Sequence, residues 1–234
     1  GFISMLETGV KNSMTVKLDG LIMRTINNMT GQILNSANGL QKVNLLTEYN
    51  TASGQTLTAN KALMDKDFLK FASLTIKKYQ ARITKMSTLF NAGGKARFTT
   101  TDNLHTVLLS DFADSAEVYL LSDTYHNDTV SLPNHETVPY WQGSGKSYAF
   151  NDISKIDVKI DAGNKTPKQV TQTGILGVMF DTNALGVSNL NQRTTTSYNA
   201  RAEFYTNYYK MDAGYFNDLN ENFVVFYIAD PANK

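Results

Sequence analysis

The sequence contains no cysteine. Disulfide bonds, thiolate catalysis and cysteine-ligated zinc are therefore excluded. It also lacks any apolar run long enough to cross a bilayer, and its first residues, GFISMLETGVKNS, show no basic region followed by an apolar core. We therefore expect neither a signal peptide nor a membrane partner, and stability has to come from packing or from association with other chains.

An excess of charge of one sign is absent as well. The chain has 22 Lys and Arg against 21 Asp and Glu, a net charge of +1. Such a chain has no overall field that would attract DNA or an anionic membrane. Its 234 residues, 41% of them hydrophobic and 18% charged, are typical of one large globular domain or two modest lobes.

Two long helices are predicted in the first third of the chain, at about residues 12–36 and 60–84. Gly20 and Gly31 weaken the first helix by about 1 kcal/mol each relative to alanine, so we expect it to pack closely against another element. The predicted buried stripe of the first helix is Leu18, Ile22, Ile26, Met29 and Ile33, and that of the second is Phe68, Ala72, Ile76, Tyr79 and Ile83.

The remaining segments predict loops, one further helix and then strands. Residues 47–60 (TEYNTASGQTLTAN) are predicted as a loop, KARF as a short strand, and a third helix as starting at Thr101 and running towards Leu121. After Asp123 the chain is divided into short β-rich segments. These are VSLPNHETVPYW, SYAF, KIDVKID, GILGVMF and NFVVFYIA, of which the last two are apolar enough to be buried on both faces. The pattern predicts an α+β protein.

The segment VPYWQGSGKS, residues 138–147, ends like a phosphate-binding loop. That motif requires glycine at the position of Tyr140, and it requires a helix after the loop, whereas SYAFNDISKIDVKI has a β pattern. We predict a flexible turn that joins two strands. An enzyme that uses Lys146 or His126 in phosphoryl or metal-dependent chemistry is the rival hypothesis.

Metal sites have little support. His126 lies three residues after Asp123 and His135 precedes Glu136, but neither these two histidines nor His105 form an i,i+4 pair. The segment DLNEN, residues 218–222, hints at a calcium loop, yet Phe223 and Ala229 occupy the positions that need glycine and glutamate. We therefore assign no catalytic, cofactor-binding or metal-binding residue, and we expect no cofactor and no enzymatic activity.

An aromatic-rich segment occupies residues 198–227. Stacking on single-stranded nucleic acid or on sugars is one interpretation, but the segment has only Arg201 and Lys210 as cations. The alternative, which we favour, is a protein core together with a subunit interface. Its aromatic residues are Tyr198, Phe204, Tyr205, Tyr208, Tyr209, Tyr215, Phe216, Phe223, Phe226 and Tyr227.

Residues 12–28, 122–150 and 174–229 closely resemble major capsid proteins of tailed bacteriophages, which have the Hong Kong 97-type fold. The respective segments begin NSMTVKLDGL, SDTYHNDTVS and GILGVMFDTN. The resemblance covers nearly the whole chain from about Lys11 and is strongest over residues 174–229. It implies a spine helix at about 12–36, a peripheral domain of residues 1–87 and 191–234, and an axial domain of residues 88–190.

The resemblance also implies what the chain does. It predicts a structural protein that assembles into hexamers and pentamers and forms the icosahedral head around double-stranded DNA, without reading its sequence. The implied partners are other copies of the chain, a scaffold, a portal and a maturation protease, and the implied location is the virion, assembled in the host cytoplasm. Relatives have an N-terminal arm and a hairpin before the spine helix, for which this chain has no room, so we expect a truncated or processed product. Some relatives are crosslinked by Lys–Asn bonds, and no residue here matches that chemistry.

Overall fold

The computed structural model describes residues 2–121, 132–143, 147–163 and 165–231. Contacts divide the chain into two compact units: Gly1–Ile26 with Leu185–Asn217, and Asn27–Ala184 with Asp218–Lys234. The helices are α1 (Phe2–Asn35), α2 (Leu45–Ser53), α3 (Ala59–Ala62), α4 (Lys66–Ile83), α5 (Ser110–Leu121) and α6 (Phe150–Ile153). The strands are β1 (Lys42–Asn44), β2 (Leu104–Leu109), β3 (Glu136–Val138), β4 (Ile156–Asp161), β5 (Pro167–Gln172), β6 (Ile175–Asp181), β7 (Leu185–Asn199), β8 (Phe204–Asn217) and β9 (Phe223–Tyr227).

The larger unit is built on a five-stranded mixed sheet in the order β1-β9-β6-β2-β3. Strands β1 and β9 are parallel, as are β2 and β3, while β6 runs antiparallel to both of its neighbours. Every residue of β6 is buried, and so are the first four residues of β9. The prediction that these two apolar segments form strands buried on both faces is confirmed, and the mixed helix-and-sheet class is confirmed with it.

Helices cover this sheet and supply the rest of the core. Helix α2 packs against α4 and β9, and α5 packs against α4, β2 and β3. All five residues of the predicted second stripe are buried on α4, each at most 6% exposed. The side chain of Asp65 accepts a hydrogen bond from the Phe68 amide at 2.8 Å, which caps α4.

Buried polar residues join the loops at one end of the sheet. The Thr99 hydroxyl donates to Asp181 Oδ2 at 2.7 Å and accepts from Asn222 Nδ2 at 3.1 Å. The Asp181 amide donates to the Asn222 carbonyl, and the Asp218 amide donates to the Ala184 carbonyl. Buried polar groups are costly without partners. This network therefore holds together the segment of the larger unit that precedes β7 and the segment that follows β8.

The end of α1 packs against the two-stranded sheet of β4 and β5. A Cβ at Gly31 would lie 2.5 Å from Cγ2 of Val158, so only glycine permits this approach of helix and strand. The expectation of close packing is therefore confirmed at Gly31. At Gly20 it is wrong, because no atom lies within 4 Å of the position that a Cβ would take.

The predicted start of the first helix is wrong by ten residues, because α1 begins at Phe2 rather than near residue 12. The first turns are stabilised by an ion pair between Glu7 and Lys11 at 3.1 Å. The Thr15 hydroxyl donates to the Lys11 carbonyl within the helix. Of the predicted first stripe, Ile26, Met29 and Ile33 are buried, whereas Ile22 is 41% exposed.

Two further local predictions are wrong. Half of the predicted loop at residues 47–60 is the helix α2, which has an Asn44 cap and buries Leu45, Leu46 and Tyr49. The predicted third helix is split, since residues 104–109 form β2 between β6 and β3 before α5 begins. An apolar run of this length fits either state, and only its neighbours in the sheet decide.

The predicted strands KARF and SYAF also differ from the structure. KARF contributes only an isolated bridge between Ser87 and Arg97, and SYAF leads into the short helix α6. In the first case the side chain of Asn91 holds the chain in a turn through its bonds to the amide and carbonyl of Lys95.

Candidate subunit interface

Strands β7 and β8 form a long antiparallel hairpin in the smaller unit. Their register runs from Leu185 opposite Asn217 to Asn199 opposite Phe204, with one bulge between Asn189 and Asn191. At the turn, the Ala202 amide donates to the Asn199 carbonyl, and Glu203 adopts a positive φ of 51°. The amino-acid sequences of β7 and β8 are typical of a half-buried sheet, because they are rich in β-branched and aromatic residues.

The aromatic residues of this hairpin are exposed. Tyr205 is 69% exposed and Tyr215 67%, although a core tyrosine such as Tyr79 is 6% exposed. The core interpretation of the aromatic segment is therefore wrong for residues 198–216, and it is right for Phe223 and Phe226 in β9. The aromatic residues of the hairpin that are about half exposed or more are Tyr198, Phe204, Tyr205, Tyr208, Tyr215 and Phe216.

Both faces of the hairpin carry these rings. Residues that pair across an antiparallel sheet lie on the same face, which places Tyr198, Tyr205 and Tyr215 on one face, and Phe204, Tyr208 and Phe216 on the other. The rings of Tyr198 and Tyr205 contact each other across the strands, with centroids 4.7 Å apart. Neither face of the hairpin is therefore an ordinary polar outer surface.

Within the ranges that the structure describes, neither β7 nor β8 pairs with a third strand. The outer edges of both strands therefore present unpaired backbone donors and acceptors. A lone two-stranded hairpin is only marginally stable in water, and exposed apolar area of this kind marks interaction surfaces. The arrangement suits binding to a protein partner through rings and strand edges.

Charge contributes little to this surface. Arg193 and Asp212 form an ion pair at 3.1 Å, but their side chains are 45% and 56% exposed. Solvent screens such a pair, so its contribution to stability is at most about 1 kcal/mol. Lys210 lies 6.0 Å from the centroid of the Tyr208 ring, which is the outer limit for a cation–π contact.

The rival enzyme hypothesis depends mainly on residues whose positions the structure does not describe. His126, Asp123 and Lys146 lie outside the described residues. His135 Nδ1 lies 2.7 Å from the Pro133 carbonyl, and the His105 ring stacks on Phe180. The described part of the chain contains no group of three or more His, Asp or Glu residues that could hold a metal ion.

The structure describes residues 138–143 and 147 of the predicted turn at 138–147, and Trp141 is buried there. Trp141 is 2% exposed, and its indole Nε1 donates to the Ile175 carbonyl at 2.8 Å. Its own carbonyl accepts from Asn27 Nδ2 at 2.7 Å. The segment is followed by α6 rather than by a strand, so the prediction of a turn between two strands is wrong. Trp141 fixes this segment to α1 and β6.

None of the helices in the described residues has both the length and the apolar character that crossing a bilayer requires. The exposed rings and strand edges of the hairpin make it suited to contacts with another protein chain. Comparison with known proteins identifies the family to which the chain belongs.

The chain belongs to the family of Phi29-like phage major capsid proteins, whose family model matches residues 1–227. The structure is similar to one titled "Capsid structure of Staphylococcus phage Andhra", with a TM-score of 0.53 and 12% identity, covering 98% of this chain. The chain spans 65% of the length of the matched chain in that structure. No curated protein sequence matches. The protein is thus a phage major capsid protein with a structural role in the virion, and the predicted resemblance is confirmed.

Proposed function

We propose that this chain is the repeating tile of a phage head and that the β7–β8 hairpin is one of its main contacts with neighbouring copies. The observation that carries the proposal is the hairpin itself, with six exposed aromatic rings, two unpaired edges and both faces in solvent. Its stability as a lone ribbon would be marginal, whereas burial against another chain would satisfy both its rings and its edges.

In this proposal the copies form hexamers and pentamers, which close into an icosahedral shell around double-stranded DNA. The fold would be of the Hong Kong 97 type, with α1 as the spine helix. Residues 1–87 and 191–234 would form the peripheral domain, and residues 88–190 the axial domain. Contacts that are modest one by one become a stable container when each is repeated around a ring and across the shell.

The proposed partners follow from the same role. A scaffold and a portal would set the size and the entrance of the shell, a protease would process it, and assembly would take place in the host cytoplasm. DNA would meet the inner surface without sequence readout, which agrees with a net charge of +1. We propose no catalytic residue, since a capsid tile works through its surfaces.

The hairpin is tested by a variant in which Tyr198, Tyr205 and Tyr215 are replaced by serine. Loss of the Tyr198–Tyr205 ring contact should lower the unfolding free energy by only about 0.2–1 kcal/mol. Aromatic residues at interface centres, by contrast, are the ones whose loss abolishes binding. We expect a folded variant that yields no shells when the full-length protein is expressed with the other head proteins of its phage, measured by electron microscopy and sedimentation.

The matched control is Tyr148→Ser, because Tyr148 is 80% exposed in the larger unit. The control variant should assemble like the parent. Shells of normal yield from the triple variant would remove this face of the hairpin from the contact surface, and the same result with Phe204, Tyr208 and Phe216 replaced by serine would remove the other face. Persistent monomers of the unaltered full-length protein would contradict the capsid assembly itself.

The exposed rings also keep one alternative open, a module that binds glycans or single-stranded nucleic acid through the hairpin. Six exposed rings on two faces could stack on sugars or bases. Retention of the protein on a single-stranded DNA column that weakens as salt is raised would favour nucleic-acid binding. No retention, and no binding on a glycan array, would leave protein contact as the role of the rings.

A further inference from the structure

Two helices of the larger unit carry exposed stripes of opposite charge. Asp111, Asp114 and Glu117 are exposed along α5, at spacings of three residues that place them on one side of the helix. Lys78 and Arg82 are exposed on α4, and Lys85 follows just after its end, at spacings of four and three. We call these the acidic stripe and the basic stripe.

Each stripe also includes an exposed aliphatic side chain. Val118 is 64% exposed beside the acidic stripe, and Leu74, one turn before Lys78, is 46% exposed. The opposite sides of the two helices are buried, with Phe112 and Ala116 on α5 and Ile76 and Tyr79 on α4 among the core residues. An exposed aliphatic side chain at one end of a charged stripe adds apolar contact area that a purely solvated helix face lacks.

One residue of each stripe interacts with other groups of its own chain. The Arg82 guanidinium lies 5.3 Å from the centroid of the Tyr79 ring, and Glu48 on α2 is the acidic group that interacts with it. On α5, burial first and then the Asp114 carboxylate raise the pKa of Asp111. The isolated chain thus disfavours the Asp111 charge, which a cation from outside would favour.

Resting on the proposed function, we propose that the acidic stripe of one copy docks on the basic stripe of the next copy around the capsomer ring. Closed rings are built from heterologous contacts, in which two different patches of the same chain meet. A chain with a net charge of +1 that separates its charges into two stripes offers such a pair of patches. Complementary charge fixes the partner and the register, while Leu74 and Val118 supply apolar contact.

The partner is therefore a second copy of this chain, and the test uses charge reversal in the full-length protein. Variant A carries Asp111→Lys, Asp114→Lys and Glu117→Lys, and variant B carries Lys78→Glu, Arg82→Glu and Lys85→Glu. In either variant alone, like charges face each other at every ring contact. We expect the yield of rings and shells to fall by at least about tenfold in each, since a small loss per contact multiplies around the ring.

Two rescues separate docking from damage to the fold. Co-expression of A and B restores complementary contacts when the two alternate around a hexamer, and a chain carrying all six changes restores them with the signs exchanged. The six-change chain should return the yield of rings and shells to within about twofold of the parent, since every contact regains opposite charges. Co-expression should do so for hexamers only, because two variants cannot alternate around a ring of five. Failure of both rescues, with each variant folded by circular dichroism, would overturn the proposal.

A control with the same change in net charge as variant B is Lys61→Glu, Lys159→Glu and Lys165→Glu, all exposed outside the stripes. This control should assemble at the parent's yield, and an equal loss would assign the effect to net charge and overturn the proposal. Unchanged shells from A or B would do the same while leaving the capsid role intact. An unaltered protein that forms no shells would instead contradict the proposed function.

Discussion

Strands β8 and β9 are separated by only five residues, 218–222, and both are rich in aromatic residues, yet they have opposite environments. Phe223 and Phe226 in β9 are fully buried, whereas Tyr205 and Tyr215 in β8 are about two thirds exposed. Strand β9 lies between β1 and β6, and β8 has only β7 beside it. The comparison teaches that an aromatic residue in a strand contributes to folding or to binding according to what covers it.

The difference divides the molecule by task. The sheet of the larger unit is covered by helices and closed at one end by the Thr99, Asp181 and Asn222 network, so its side chains contribute to the stability of one chain. The hairpin buries little within the chain. Its side chains are available for the contacts with other copies that we propose.

The largest effect is expected in the core of the sheet. Phe226→Ala removes a fully buried ring that packs edge-on against Tyr79, with centroids 5.4 Å apart. We expect a loss of about 3–5 kcal/mol in the free energy of unfolding, because the substitution leaves a cavity. Chemical denaturation followed by circular dichroism measures it.

The matched substitution in the hairpin is Tyr208→Ala, since Tyr208 is 51% exposed. Its unfolding free energy should stay within about 0.5 kcal/mol of the parent. If both alanine variants lost the same stability, the distinction between a folding strand and a binding strand would fail.

An intermediate effect is expected at the two glycines of α1. Gly31→Ala would place a Cβ 2.5 Å from Val158 Cγ2, and overpacking of this kind costs about 1–3 kcal/mol. Gly20→Ala meets no atom within 4 Å and should gain up to about 1 kcal/mol in helix propensity. Thermal melting should show shifts of opposite sign, and shifts of the same sign would contradict the close contact at Gly31.

The smallest effect is expected at Asp157. Hydrogen bonds from Gln169 first and Thr171 second hold its pKa below the ordinary value of 3.8. A lowered folded pKa contributes stability that is present above the unfolded value and is lost as the pH falls through the folded value. Thr171→Val should therefore melt slightly lower than the parent at pH 7, and the difference should shrink as the pH falls below 3.8.

The hairpin supplies the control for this prediction. The Thr196 hydroxyl donates to Asn207 Oδ1 at 2.8 Å, which resembles the Thr171 contact except that its acceptor does not titrate. The effect of Thr196→Val should be the same at both pH values. A pH-independent effect of Thr171→Val would show that the Asp157 carboxylate is not its relevant partner.

Periodicity correctly predicted the elements whose buried residues form a regular apolar pattern in the sequence. The stripe of α4 and the strands β6 and β9 follow from apolar residues at helical spacing or in unbroken apolar runs. Periodicity failed where the same pattern of residues is compatible with more than one secondary structure. Residues 104–109 became a strand because β3 and β6 flank them, and α2 formed in a polar stretch because Leu45, Leu46 and Tyr49 are buried.

The candidate interface was only half predictable. The sequence indicated that the segment after Tyr198 was unusual, and it offered a core and an interface as explanations. Nothing in the letters separates the exposed Tyr215 from the buried Tyr79, because tyrosine suits both environments. The opposite stripes on α4 and α5 were likewise readable as ordinary solvated faces, since their exposed aliphatic neighbours are visible only in three dimensions.

The amino-acid sequence by itself determined the absence of disulfide and thiolate chemistry, the buried strands, the α4 stripe and the resemblance to phage capsid proteins, because these depend on composition and on order along the chain. Only the tertiary structure decided which aromatic residues are covered and which face solvent, and that α1 reaches β4 at Gly31. The physical reason is that burial depends on neighbours distant in sequence, and no local pattern specifies them.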